Sequence, residues 1–196
     1  MLVRRLCDVA AVVCFVGAFA VQGTAQAQCF AWRPGEELSE LNGTVHDMIV
    51  WDDGSGPALY VGGSFSMAGD VPAANFARWN GESWQSVGGG VDGAVVVLTV
   101  FNNELIAGGG FTTAGGVGAS HIARWNGRVW SPLGAGTDSA VHALAVHDSE
   151  LIAGGDFTTA GGHASAYWAR WGPTGTAGVS ADLDHDACAH YSTAVN

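Results

Sequence analysis

The chain has 196 residues, 48% apolar and 13% charged, with 30 glycines and no lysine. Glycine at about twice and charge at about half the level of an average domain, with no Gly-X-Y period, exclude collagen; the apolar fraction excludes a disordered chain. Seven basic against eighteen acidic residues leave a net charge of −11, with no basic stripe to neutralise phosphates, so nucleic acid is not an expected partner.

Many turns and little charged helix surface point to an all-β protein. In chain order, the first segment reads as an export signal. Arg4 and Arg5 precede an apolar run from Val9 to Val21, and Ala25-Gln26-Ala27 supplies the small-x-small pattern of a cleavage site. Residues 1–27 are therefore expected to be a signal peptide, and the product to be secreted, periplasmic or at the cell surface. The rival, an uncleaved anchor, needs a longer run, since a spanning helix takes about 20 residues. Gln28 ahead of Cys29 is too large and polar for lipoprotein processing. Cleavage leaves Cys29 and Cys188, at opposite ends of the mature chain. In an oxidising compartment they form either a disulfide or two free thiols, and the sequence leaves both open.

The rest of the chain repeats itself. Gly62-Gly63-Ser64-Phe65, Gly108-Gly109-Gly110-Phe111 and Gly154-Gly155-Asp156-Phe157 recur every 46 residues, as do Ala77-Arg78-Trp79, Ala123-Arg124-Trp125 and Ala169-Arg170-Trp171. Val45, Val95 and Val141 open the three units, and the first unit carries an insertion at 52–58. Within the second unit, four strands are expected over Val95–Phe101, Leu105–Gly108, His121–Trp125 and Val129–Leu133. The turn at Asn102-Asn103 joins the first two, and a Gly/Thr/Ala-rich loop over Thr112–Ser120 leads to the third. Asn126-Gly127, like Asn80-Gly81, predicts a two-residue type I′ hairpin, because both residues accept positive φ. Four short strands per unit of this length fit propeller blades. In the third strand Ala123 and Trp125 face one way and Ile122 and Arg124 the other, as a sheet between two neighbours requires. Trp79, Trp125 and Trp171 are expected to be the main packing anchors, and Gly62, Gly108 and Gly154 to permit close backbone approach.

The pattern L-Y/I-V/A-G-G-x-F-x-x-A-G-G, followed by A-R-W-N-G-x-x-W and G-x-G, resembles the repeats of secreted bacterial proteins with Kelch-like or delta-60-type β-propellers. It is also similar to the propeller of the fungal cortical marker proteins. The resemblance spans Asn42 to Gly172. It implies a β-propeller in an extracytoplasmic or surface setting and brings no catalytic residues with it.

The expected organisation is an N-terminal segment over 28–44 that can complete a blade, blades at 45–94, 95–140 and 141–178, and an acidic tail over 179–196. The third blade is expected to be incomplete, because Thr176 stands where Trp84 and Trp130 predict a third tryptophan. Three blades make a poor ring, so an open arc is expected, with end faces that favour self-association.

Candidate chemistry is sparse. Asp182, Asp184 and Asp186 have the 1, 3, 5 spacing of a calcium loop, but Ala187 and Thr193 replace the glycine and the bidentate acid such a loop needs. A solvated acidic tail or weak Ca²⁺ binding follows, and no other cofactor is expected. His46, His121, His142, His147, His163, His185 and His190 show no zinc spacing. Arg78, Arg124 and Arg170 read as a framework bond within each blade rather than an anion-binding ring. Asp92 and Asp138 read as turn-formers between blades. No nucleophile–base pair is apparent.

These features favour an exported, non-enzymatic module that presents the loops Ser66–Asn75, Val117–His121 and His163–Tyr167 to a protein or carbohydrate surface ligand. The alternatives are a fragment of a longer surface propeller and a propeller-type enzyme such as a copper oxidase, which would need cysteine and histidine ligands inside the repeats.

Overall fold

The computed structural model describes residues 40–173. The expected signal peptide, Cys29 and Cys188, most of the segment 28–44, Thr176, and the tail with Asp182, Asp184 and Asp186 lie outside the described residues. Among the described residues every regular element is a strand, and no helix is long and apolar enough to cross a membrane.

The first unit holds β1 (Thr44–Asp52), β2 (Pro57–Ser64), β3 (Met67–Ala68), β4 (Val71–Pro72), β5 (Phe76–Trp79) and β6 (Trp84–Ser86). The second holds β7 (Val95–Phe101), β8 (Glu104–Gly109), β9 (Thr113–Ala114), β10 (Val117–Gly118), β11 (Ile122–Trp125) and β12 (Trp130–Pro132). The third holds β13 (Val141–His147), β14 (Glu150–Gly155), β15 (Thr159–Ala160), β16 (His163–Ala164) and β17 (Trp168–Trp171). The main sheets run β1-β2-β5-β6, β7-β8-β11-β12 and β13-β14-β17, every pairing antiparallel. The first strands of successive sheets lie side by side, as in propeller blades around an axis, and the ring is not closed.

Each sheet also carries a feature the repeat pattern does not announce. The connection between the second and third strands of a blade, expected as plain loop, folds back on itself as a minute hairpin: β3 with β4, β9 with β10, β15 with β16. The hairpin turns are distributed differently from expectation. Asn102 (φ 49°) and Asn103 (φ 61°), like Asp148 (φ 49°) and Ser149 (φ 64°), hold the double left-handed conformation of a type I′ turn. At Asn80-Gly81 only the glycine has positive φ, and Trp79 pairs with Trp84 across a four-residue loop. There the Asn80 carboxamide oxygen accepts the backbone N–H groups of Glu82 and Ser83, both at 2.9 Å. Asn126 does the same for Arg128 and Val129 at 3.0 Å. The asparagine acts through its side chain, which lets the loop grow without a second left-handed residue.

The register sorts side chains into two faces per blade. In the first, Leu59, Val61, Ala77, Trp79 and Trp84 share one face, and Ile49, Trp51, Tyr60, Gly62 and Phe76 the other. The second face of blade 1 packs on the first face of blade 2, where Leu98, Leu105, Ala107, Ala123, Trp125 and Trp130 are buried. Blades 2 and 3 repeat the arrangement, with Phe101, Ile106 and Ile122 against Leu151, Ala153 and Phe157.

The three-tryptophan anchor is corrected here. Trp125 is buried, but Trp79 is half-buried and Trp171 is 44% exposed. The most deeply buried large side chains are instead Tyr60, Phe76, Phe111, Phe157, Leu105 and Ile106. Trp125 has both a preceding blade against its face and Trp130 of a fourth strand beside it; among the described residues Trp79 lacks the first and Trp171 the second.

Candidate binding surface

The two ends of the blades differ. One end carries the tight turns described above; the other carries the three minute hairpins and the links between blades. Each hairpin is tied to the link that precedes its blade, through bridges of Leu41 to Ala68, Val91 to Ala114 and Thr137 to Ala160. Gly115 N–H donates to the Gly90 carbonyl, and Gly161 N–H to that of Gly136, both at 2.8 Å.

A carboxylate locks the same junction. Asp92 accepts the N–H groups of Thr112 (2.7 Å) and Thr113 (2.8 Å) and the Thr112 hydroxyl (2.7 Å). Asp138 binds Thr158 and Thr159 in the same way at 2.7–2.8 Å, and Asn42 accepts from Ser66 and Met67 at 2.9 Å. The expectation that Asp92 and Asp138 are local turn-formers is therefore corrected: their partners lie some twenty residues downstream, on the hairpin at the same end of the blade. Burial opposes ionisation of Asp92, but the Thr113 and Thr112 donors outweigh it and bring its pKa down to about 2. For Asp138 the Thr159 N–H leads and the result is again about 2.

A depressed carboxylate stabilises the fold above its unfolded pKa near 3.9 and loses that contribution as pH falls through the folded value. Acid unfolding should thus steepen between about pH 4 and pH 2. Asp92→Ala should lower stability at neutral pH by about 1 kcal/mol after allowance for solvent screening. It should also flatten that acid limb, as read by urea midpoints across pH.

Beyond the hairpin, each loop ends on a non-glycine residue with positive φ: Asn75 (61°), His121 (64°) and Tyr167 (70°). The backbone there is fixed on both sides. Gly63, Gly109 and Gly155 donate to the three carbonyls at 3.0–3.1 Å, and the three N–H groups donate to Phe65, Phe111 and Phe157 at 2.8–2.9 Å. The side chains are free to differ, and they do. Asn75 bonds inward, to Phe65 N–H and the Val91 carbonyl, whereas Tyr167 is 67% exposed. The sequence carries a signal for this corner, a residue that varies in size and chemistry directly before Phe76, Ile122 and Trp168, but only φ gives it meaning.

The arginine series separates into two environments. Arg124 pairs with Glu104 at 3.1 Å and Arg170 with Glu150 at 3.3 Å, both within their blades and partly exposed. Arg78 enters a cluster built by the first-unit insertion. It donates to Ser55 Oγ and Gln85 Oε1 at 2.6 Å, lies 3.5 Å from Asp53 and stands over the Tyr60 ring. The Tyr60 hydroxyl donates to Asp53 Oδ2 at 2.8 Å; burial and then this bond push its pKa up. Burial also works against the Asp53 carboxylate, but the Ser55 and Tyr60 donors and Arg78 draw its pKa down. Tyr60→Phe should cost about 1.5–3 kcal/mol at neutral pH, the worth of a hydrogen bond to a charged group, measured by urea unfolding.

Among the described residues no group of three or more His, Cys, Asp or Glu is arranged to hold a metal. His142 contacts Asp156 at 2.7 Å and His147 contacts Asp148 at 3.0 Å, as separate exposed pairs. The arrangement thus displays varied side chains on a fixed backbone, and its carboxylates are engaged in holding that backbone.

Residues 25–128, more than half the chain, match the family model of the Rax2 C-terminal beta propeller domain. The chain belongs to that family. The match covers the first unit and the second up to the turn before β12, and the third unit continues the same blade pattern beyond it. Of the two likenesses drawn from the repeat, the Rax2 match supports the fungal cortical marker propeller. Neither a curated protein nor a solved structure matches the chain.

Proposed function

We propose that the protein is an exported, non-enzymatic propeller-type module whose hairpin end contacts a protein or carbohydrate ligand at or outside the cell surface. The observation that carries this reading is the contrast at one structural position. Asn75, His121 and Tyr167 share a backbone fixed by the same hydrogen bonds, yet differ in size, chemistry and exposure. Repeats that keep a scaffold and vary its loops serve recognition, and an exposed tyrosine offers a rigid apolar face with a polar tip for a sugar or a protein. Export follows from Arg4-Arg5, the run after them and Ala25-Gln26-Ala27. The likeness to secreted bacterial Kelch-like or delta-60-type propellers points to the same setting. A glycan array and titration against intact cell surfaces test it: Tyr167→Ala and His121→Ala should weaken binding while the thermal midpoint stays unchanged. Absence of any glycan or surface ligand, or binding indifferent to both substitutions, would refute it.

A second reading, a unit of a longer surface propeller, is favoured by the open outer face of blade 3, where Trp168 is 58% exposed. Chromatography with light scattering separates it from a self-contained assembly.

A further inference from the structure

Two features of the described blades bear on one another. The first is a socket. In blade 2 the Trp130 indole lies edge-on to Phe76, at 5.1 Å between ring centres, and 5.3 Å from Trp125. Its Nε1–H donates to the Val87 carbonyl, and Cβ atoms at Gly88 or Gly115 would strike its ring at 2.8–2.9 Å. One repeat later the corresponding positions are Ile122, Trp171, Leu133, Gly134 and Gly161. Four of these, Ile122, Leu133, Gly161 and Trp171, line a cavity of about 610 Å³. Nothing described lies within 4 Å of a Cβ placed at Gly161. Among the described residues this tryptophan socket lies beside the edge of β17 that pairs with no further strand.

The second is a face. A Cβ on Gly62 would lie 2.4 Å from Val95 of the next blade, and one on Gly108 would lie 2.8 Å from Val141. At Gly154 the nearest atoms stand at 3.7 Å and 3.8 Å, both within blade 3. The matching valine, Val45, is half-buried whereas Val95 and Val141 are fully buried. On the same side of blade 1, Met48 and Val50 are 55% and 66% exposed, although Leu98, the counterpart of Met48, is buried. The outer face of blade 3 and the outer face of blade 1 are thus the two halves of the contact that the chain already makes twice.

We infer that two copies of this chain close into a six-bladed ring. Blade 3 of each copy packs on blade 1 of the other. Six blades fall in the usual range of closed propellers, and two identical head-to-tail contacts close under a twofold axis. This assembly rests on the blade faces and is independent of the loop reading above.

Light scattering of the purified chain should give twice the chain mass. Gly154→Val has room within its own blade but fills the space that Val45 of the second copy needs, so it should give the single-chain mass with unchanged far-UV circular dichroism. Val50→Asp, at a position 66% exposed in the single chain, places a charge on the other half of the contact, so it should do the same even if Gly154→Val loses its fold. A wild-type chain of single mass overturns the inference. So does a dimer that survives both substitutions, or an open series of larger species, which would mean stacking or a longer array in place of a closed ring.

Discussion

Trp130→Ala is expected to lower stability by about 3–5 kcal/mol, the range for deleting a buried large aromatic side chain, seen as a fall in urea midpoint. Three separate losses stand behind this figure. The indole is 5% exposed and fills space between blades 1 and 2. It holds edge and tilted contacts with Phe76 and Trp125. Its Nε1–H also satisfies the Val87 carbonyl at 3.3 Å. The substitution would leave in blade 2 the same hollow that blade 3 already contains. Trp171→Ala is the internal control. That residue sits at the equivalent of Trp125 but is 44% exposed, so its removal should cost clearly less. Equal losses at Trp130 and Trp171 would show that the third blade is as fully covered as the second.

That contrast marks what the sequence reveals and what it does not. The repeat of Gly-Gly-x-Phe and Ala-Arg-Trp was enough to place whole blades, and Val95–Phe101 and Val141–His147 are strands over those same residues. Hydrophobic alternation and turn residues are local, and they were read locally. What escaped depends on partners distant in the chain. Asp92 reads as a turn residue because glycines crowd the link between two blades around it, while its ligands sit at Thr112 and Thr113. Trp171 looked equal to Trp125 because exposure depends on the next strand rather than on the residue. Tyr60, where the later units have Ile106 and Ile152, did carry a signal. A buried hydroxyl needs a partner, and the only unit with the polar substitution is also the unit with the Asp52-Asp53 insertion. The candidate surface was visible as three loops of unequal sequence, but not the left-handed corner that fixes Asn75, His121 and Tyr167.

The glycine pair gives the sharpest separation between forces within a blade and forces between blades. Each first strand contains a bulge, between Val45 and Asp47, Val95 and Val97, and Val141 and Ala143. The bulge swings a backbone carbonyl over the second glycine of the pair. A Cβ on Gly63, Gly109 or Gly155 would lie 2.0–2.1 Å from the carbonyl oxygen of Thr44, Ala94 or Ala140. No rotamer change relieves a clash with backbone, so Gly109→Ala and Gly155→Ala should each cost about 3 kcal/mol, the upper end of ordinary overpacking. In blades 1 and 2 the first glycine meets side chains alone, the nearest of them on the next blade. Gly108→Ala presses on Val141 and Val97, at 2.8 Å and 3.0 Å, which can shift, and should cost about 1–2 kcal/mol. Gly154→Ala meets no neighbour closer than 3.7 Å and should change the stability of the single chain by less than about 0.5 kcal/mol. Urea unfolding of these four variants, at concentrations low enough to keep chains apart, gives the order directly. If Gly154→Ala proved as harmful as Gly108→Ala under those conditions, something within the same chain would have to cover the outer face of blade 3. If Gly155→Ala proved harmless, the bulge carbonyl would not occupy the position that sets the faces of every blade.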